Sequence, residues 1–192
     1  MAIDMKKTIA EAASNLLFEK KVKKLTVKDI VEECHITRQA FYYHFEDKYD
    51  LVNWYFQSGV TQFLVERSAY ASWNALLEAV EDYLLENKVF YCNALAYTGQ
   101  NSLQQYIFDY LSSIFMQRAK ELRPGIGADE NLLAGRFFAG ALMGILQPWV
   151  LGGMKTNTTR PSQAVPLLSV DELEVILRGE LGETHEPGKL PQ

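Results

Sequence analysis

The stretch that decides the fold reads TVKDIVEECHITRQAFYYHFEDKYDL and occupies residues 26–51. It contains two short helical patterns, at 26–34 and 37–45, with only two residues between them. Thr26 begins the first pattern as part of a capping-box variant with an aspartate three residues later, and Thr37 is a favourable N-cap for the second. Two helices joined by so tight a turn predict a helix-turn-helix unit.

The second helix of this unit has two faces of different chemistry. An inward face is predicted for Ile36, Ala40, Phe41, His44 and Phe45. An outward face is predicted for Arg38, Gln39, Tyr42 and Tyr43, which fall at i, i+1, i+4 and i+5. Arginine pairs with guanine, glutamine with adenine and a tyrosine hydroxyl with phosphate, so the outward face suits the major groove of double-stranded DNA. The residues that we expect to contact DNA are Thr26, Thr37, Arg38, Gln39, Tyr42, Tyr43, His44 and Lys48.

The remaining sequence is also helical in pattern. The first glycine is Gly59 and the first proline is Pro124, so the turns that a β-sandwich requires are missing from the first 58 residues. Apolar spacing predicts an opening helix around 9–17 and later helices near 47–67, 72–86, 88–98, 101–122, 129–151 and 170–181, with a loop at 155–169 and a disordered tail at 182–192. We therefore predict an all-α protein with a DNA-binding head at 1–50 and a larger helical regulatory and dimerisation domain at 51–181.

Residues 132–154 form a stretch of 23 residues that is almost wholly apolar and approaches the length of a membrane span. The stretch contains an arginine, a glutamine and a proline and has no flanking basic loop. A buried helix at a helix–helix interface is therefore the better interpretation, and no membrane association is expected. Small residues let helices approach closely, and Gly140 and Gly144 form a GxxxG pair. Dimer contacts are predicted for Ala139, Gly140, Gly144 and Trp149.

The distribution of charge and the two cysteines fit a cytoplasmic protein whose head contacts DNA. The formal net charge is −5, but residues 1–50 carry nine Lys/Arg and nine Asp/Glu, so the acidic excess lies entirely after residue 50. A neutral head with a local basic cluster can contact phosphate, while an acidic body is repelled by it.

Cys34 and Cys92 have no metal-binding spacing and are expected to be reduced thiols. The N-terminus carries no apolar leader, so a cytoplasmic protein is expected. No metal or cofactor is expected, because the sequence contains no motif that would bind one.

The run from Cys34 to Leu51 resembles the signature of the TetR/AcrR family of transcriptional regulators. The matching positions are Ile36, Thr37, Tyr42, Phe45, Lys48 and Leu51, and Thr26 with Ile30 matches the opening of the family's second helix. One position departs from the pattern, because His35 stands where the family commonly has glycine, which suits a positive φ angle. More loosely, residues 41–51 and Trp149 resemble the DhaS-like branch, which is associated with dihydroxyacetone-kinase operons.

This resemblance implies a homodimer that binds a palindromic operator and senses a ligand in its larger domain. In the family the last two helices form the dimer interface, here 129–151 and the C-terminal helix, and the helix after the head, here about 47–67, connects pocket and head. Aromatic residues at helical spacing predict a pocket lined by Phe90, Tyr91, Tyr97, Phe108, Phe115 and Phe138. A partner protein docked on this domain is the alternative to a small-molecule effector, and both repression and activation fit the arrangement.

Two other functions compete with the DNA-binding regulator. An enzyme is disfavoured because the sequence contains no phosphate loop, nucleophile elbow or metal-ligand motif. A helical co-regulator or scaffold would keep the fold and act through a protein partner. Arg38 and Gln39 on the outward face argue against that alternative, because a protein that no longer bound DNA would tend to lose them.

Overall fold

A computed structural model describes residues 4–19, 21–66, 73–155 and 160–164. Within these ranges the chain forms only helices and their connections: α1 (Met5–Glu19), α2 (Val27–Glu33), α3 (Arg38–His44), α4 (Lys48–Glu66), α5 (Trp73–Glu86), α6 (Lys88–Leu95), α7 (Leu103–Leu122), α8 (Ala128–Leu151) and α9 (Pro161–Ala164). The all-α prediction is confirmed.

Most helices begin and end close to their predicted bounds, and two differences have local causes. The predicted helix at 88–98 ends at Leu95, because Ala96 is its C-cap and Ser102 already caps α7 through its side chain. The predicted loop at 155–169 is wrong at 161–164, which form the short helix α9. The predicted last helix and the tail, 170–192, lie outside the described residues.

A single buried apolar cluster runs from the head into the body of the protein. It includes Leu17 of α1, Phe41 of α3 and Tyr91 of α6, all of which are fully buried. The side-chain amide of Asn93 on α6 donates to the backbone carbonyl of Leu17 over 2.7 Å. This bond satisfies one of the carbonyls that the end of a helix leaves without a partner. The head therefore rests directly on α6.

The two longest helices, α7 and α8, pack as an antiparallel hairpin. They come close together at Gly135, which is buried and where an added Cβ would lie only 2.7 Å from the carbonyl oxygen of Ser112. A glycine is required there because the two backbones leave no room for a side chain. Beyond this point Phe115 and Phe138 pack against each other with ring centres 5.4 Å apart and form a second, smaller core. None of the helices in the described ranges is long and apolar enough to cross a membrane.

A buried carboxylate fastens the segment after α8 to α5. The side chain of Glu81 is fully buried and accepts hydrogen bonds from the backbone amide of Ser162 at 2.6 Å and from its hydroxyl at 2.8 Å. Beside it, Arg160 pairs with Asp82 over 2.8 Å. Burial raises the pKa of Glu81, although the two bonds from Ser162 and the nearby Arg160 oppose that shift.

Replacing Glu81 by glutamine should change how stability depends on pH. A carboxyl whose folded pKa is raised binds a proton more tightly in the folded state than in the unfolded one, so its contribution to stability falls as pH rises above the unfolded pKa of about 4.3. For one group the slope is at most about 1.4 kcal/mol per pH unit. We expect the Glu81 contribution to the pH dependence of the unfolding free energy to disappear in Glu81→Gln. It should remain in the control Glu86→Gln, which changes an exposed carboxylate of the same helix. Urea unfolding between mild acid and neutral pH measures it, and equal slopes in wild type and Glu81→Gln would contradict the assignment.

Candidate nucleic-acid interface

The turn between α2 and α3 depends on one residue in the left-handed region. His35 has φ 54°, and the residues around it form the bonds of a Schellman motif: the amide of Ile36 donates to Val31 O at 3.0 Å and that of His35 to Glu32 O at 3.3 Å. The family's usual glycine would adopt this φ freely, whereas a non-glycine residue is held there at a cost of order 1–3 kcal/mol. The two helix ends and the buried side chains around them maintain the turn in spite of histidine.

Side-chain caps fix the start of both helices. Thr26 and Asp29 form the reciprocal capping box, with Asp29 N–H donating to the Thr26 hydroxyl at 3.1 Å and Thr26 N–H donating to the Asp29 carboxylate at 2.9 Å. The Thr37 hydroxyl accepts from the amide of Ala40 at 3.1 Å. Both threonines predicted to contact DNA thus have a structural role at a helix N-terminus, and both remain exposed to solvent.

Helix α3 divides into the two predicted faces. Phe41 and Phe45 are buried, and Phe45 packs edge-on against Trp54 of α4 with ring centres 5.8 Å apart. On the other side Tyr42 and Tyr43 are 56% and 84% exposed, far more than tyrosine rings packed in a core. Arg38 and Gln39 are exposed on the first turn of the same helix, and His44 is half-buried at its end. The structure therefore places Arg38, Gln39, Tyr42 and Tyr43 on the solvent side of one anchored helix.

Lys48 differs from the other residues predicted to contact DNA, because its ammonium group is hydrogen-bonded within the protein. Its ammonium group donates to the backbone carbonyls of Val22 at 2.9 Å, Lys23 at 3.3 Å and Leu25 at 2.6 Å. A lysine has three donors, and this turn between α1 and α2 uses all three. Burial lowers the pKa of Lys48, and the carboxylates of Asp47 and Asp29 partly oppose that shift. In this structure Lys48 joins α4 to the turn that carries the exposed lysines 21, 23 and 24.

We expect Lys48→Met to lower the stability of the head rather than its intrinsic affinity for DNA. The methylene stem is kept, but three carbonyls lose a charged partner, a loss of about 1–3 kcal/mol in unfolding free energy. The control Lys28→Met removes an exposed lysine that pairs with Glu32 one turn away and should change stability by less than about 0.5 kcal/mol. Chemical unfolding measures the role of Lys48 in stability, and gel shifts over a salt series measure any role in DNA binding. Unchanged stability with weaker, less salt-dependent binding would instead make Lys48 a phosphate contact.

The six aromatic residues predicted for a ligand pocket do not share one cavity. Phe90 and Tyr91 on α6 are buried in the main core. Phe115 and Phe138 fill the second core between α7 and α8. Phe108 lines an open cleft at the start of α7. Tyr97 does not line this cleft and stacks on Tyr49. The cleft itself is lined mainly by amide and hydroxyl side chains, which a search for aromatic spacing overlooks.

The residues predicted for a dimer interface also separate into two groups. Ala139 is fully buried within the chain, and Trp149 is partly buried against the main core. Gly140 and Gly144 are exposed, and an added Cβ at Gly144 would meet nothing within 4 Å. They share a face of α8 with exposed apolar side chains, and we call this surface the α8 face: Leu133, Phe137, Gly140, Gly144 and Leu151.

Two contacts between α4 and the segment 96–102 were not predicted. Tyr49 stacks on Tyr97 with ring centres 4.6 Å apart and an angle of 12°, and a hydrogen bond to Tyr97 together with burial raises the pKa of Tyr49 to about 12. One turn further on, the side-chain amide of Asn53 donates to the carbonyl of Asn101 over 3.4 Å. The partners are 48 residues apart in sequence, so no local pattern indicates them. They join the helix after the head to the start of α7.

An anchored helix-turn-helix head joined to a larger helical body is the architecture of a helix-turn-helix transcriptional regulator. Comparison with known families agrees: residues 9–58 match the family described as "Bacterial regulatory proteins, tetR family", and residues 71–163 match a "Transcriptional regulator C-terminal region" of the same group. The chain belongs to the TetR family. Members of these families are regulators and not enzymes.

Individual relatives point to one branch of the family. The chain is 31% identical over 90 residues to the HTH-type dhaKLM operon transcriptional activator DhaS of Lactococcus lactis subsp. lactis (strain IL1403), and the match spans 47% of this chain and 48% of that relative. A solved structure of a dihydroxyacetone kinase operon activator DhaS superposes with a TM-score of 0.56 at 20% identity, covering 93% of this chain and 97% of the other. A putative transcriptional regulator from Pseudomonas aeruginosa PAO1 superposes with a TM-score of 0.51 at 18% identity, covering 91% and 92%. The two superpositions bear on the fold alone.

Proposed function

We propose that the protein binds a palindromic operator as a homodimer in the cytoplasm, and that a small ligand or partner acting on its larger domain controls this binding. The observation that carries the proposal is the outward face of α3. Two tyrosines are more than half exposed there, beside an arginine and a glutamine, on a helix whose other side is anchored by buried phenylalanines. Tyr42 touches Phe41 edge-on and Tyr43 touches His44 in the same way, but most of each ring faces solvent, where it suits contacts with the groove and backbone of DNA.

The charge of the chain fits this arrangement. Residues 1–50 are neutral overall and residues 51–192 carry the net charge of −5. Phosphate attracts the exposed lysines of the α1–α2 turn, and the acidic body is repelled from the duplex. The expected orientation therefore has the head on the DNA and the body directed away from it.

Homodimerisation is supported by the α8 face. Leu133 and Phe137 are each 67% exposed, and with the small residues Gly140 and Gly144 they form an apolar strip along one side of a 24-residue helix. An apolar strip of this length on a water-facing helix is typical of an interaction surface. A second copy is the occupant that we propose, because a single head covers only one half-site and a two-fold axis brings two recognition helices to successive turns of the duplex.

The contacts of α4 support the proposed control. This helix packs on the head through Trp54 and on the 96–102 segment through Tyr49 and Asn53. A change at the start of α7 therefore reaches α4 directly, and a tilt of α4 changes the separation of the two recognition helices in a dimer. Operator half-sites have a fixed spacing, so a small change in the separation of the recognition helices takes them out of register with the half-sites. Coupling in such switches is typically about 1–3 kcal/mol.

A gel shift with duplex DNA from upstream of the protein's own gene tests the proposal. We expect a retarded complex that resists an excess of unrelated duplex of the same length, because specific sites are typically bound about 10³-fold or more tightly than random DNA. Equal binding to both duplexes, or none, would favour the co-regulator that acts through a protein partner.

A further inference from the structure

An open cleft of about 740 Å³ lies beside the proposed control contact. The turn at 98–102 forms its rim, the first turns of α7 form one wall, and α8 forms the opposite wall. Phe108 and Met143 supply apolar surface within it. The cleft is large enough for a small metabolite, and its mixed lining suits a ligand with both polar and apolar parts.

The polar groups of the cleft are mostly neutral. Gln104 donates to Gln147 across the two walls over 2.8 Å, which uses one donor of the first amide and the acceptor of the second. The carbonyl of Gln104 and the amino group of Gln147 remain available for a ligand. Further amides and hydroxyls come from the rim. Such groups bond to hydroxyls, which donate and accept in the same way.

Among the described residues, Arg136 is the one charged side chain that lines the cleft. In the sequence it is also the one charged residue between positions 131 and 154. Its guanidinium carbon lies 5.1 Å from the centre of the Phe108 ring, so the aromatic face supports the charged group. No carboxylate of the described residues pairs with it within 4.0 Å. A planar guanidinium held on an aromatic ring is preorganised to bind carboxylate or phosphate with two hydrogen bonds.

We propose that this cleft binds a small hydroxylated organic anion. Its carboxylate or phosphate pairs with Arg136, its hydroxyls bond to Gln104 and Gln147, and its carbon skeleton rests on Phe108 and Met143. This assignment names the ligand class for the control proposed above, and it depends on that proposed function only for the consequence at the operator.

The rim of the cleft gives a route from this ligand to the head. Asn101 has φ 57°, and its carbonyl accepts the hydrogen bond from Asn53 on α4. The side-chain oxygen of Asn53 is buried and has no hydrogen-bond partner among the described residues. The Asn53–Asn101 contact has a long hydrogen bond and an unsatisfied buried oxygen. Breaking it therefore costs little free energy, and the contact is easily rearranged. A ligand that draws the rim towards Arg136 therefore moves the contact on α4.

Calorimetric titration of the full-length protein tests the site with two matched pairs of probes: gluconate against sorbitol, and glucose 6-phosphate against glucose. We expect at least one anion to bind at millimolar concentration or below, and neither neutral compound to match it. Arg136→Gln should weaken that binding at least tenfold while remaining folded and dimeric. The control Arg118→Gln, which removes an exposed arginine elsewhere on α7, should bind like the wild type.

Three results would overturn the assignment: equal binding of the neutral partners, undiminished binding by Arg136→Gln, or no binding of either anion. Gel shifts with and without the bound anion then test the coupling. Binding that leaves operator affinity unchanged would overturn the route through Asn53 but not the site. Failure to bind any operator in all conditions would count against the proposed function, and calorimetry would still decide the site.

Discussion

Arg38→Ala should lower operator affinity by about 1–3 kcal/mol for each half-site, which is roughly a 5- to 150-fold loss per half-site. Arg38 is exposed on the first turn of α3, immediately after the Thr37 cap, where a recognition helix contacts base edges. An arginine there can make two hydrogen bonds to guanine, and alanine makes none. The preference for one base pair in each half-site should therefore be relaxed along with the loss of affinity.

Competition gel shifts with operators changed at single base pairs measure both effects. Arg118→Ala is the matched control, because it removes an exposed arginine of α7 and so alters net charge equally. Arg38→Lys should recover part of the salt-dependent affinity but not the base preference, since lysine lacks the planar fork. Wild-type affinity and wild-type base preference in Arg38→Ala would show that α3 is not the helix that reads the operator.

Phe137→Glu should convert the protein to a monomer at micromolar concentration. The ring is exposed in the single chain and is the one aromatic side chain of the α8 face, so both subunits of a dimer would lose an aromatic anchor and bury a carboxylate. An anchor worth on the order of 2 kcal/mol in each subunit raises the dimer dissociation constant roughly a thousandfold. Operator affinity should fall with it, because each head alone holds only a half-site. Sedimentation velocity measures the change.

Two further variants separate this effect from misfolding. Gly144→Leu adds a side chain where the single chain has open space, so its folding should be unaffected while a close partner helix is displaced. Val89→Glu places the same charge on an exposed apolar position of α6, 38% exposed, and should leave the dimer intact. Circular dichroism checks the fold of all three. A dimer that survives both Phe137→Glu and Gly144→Leu would place the interface elsewhere.

The head could be predicted from sequence because its determinants are local. Thr26 and Thr37 form the predicted caps, and the apolar spacing of α3 separates buried phenylalanines from exposed tyrosines as expected. Each of these features depends on residues a few positions apart. Even the departure at His35 is informative, since its φ of 54° shows why glycine is usual at that position.

The rest of the site depends on contacts between distant segments, which no local pattern encodes. Lys48 is basic and follows the recognition helix, so the sequence predicts a contact with DNA, yet its hydrogen-bond partners are carbonyls 23 to 26 residues earlier. Aromatic spacing could not distinguish Phe90 in the core from Phe108 at the cleft. In the sequence, Arg136 argues against a membrane span, and a lone charge in an apolar helix is also the local feature that could indicate the proposed binding site.

Footprinting of the wild-type protein on a sequence enriched from random duplex DNA tests most directly whether two copies of α3 read one operator. We expect a palindromic sequence with two protected major-groove segments whose centres lie about 10–10.5 base pairs apart, or a multiple of that distance. We also expect two protein chains on each duplex. No enriched sequence, or a single protected segment bound by one chain, would contradict it.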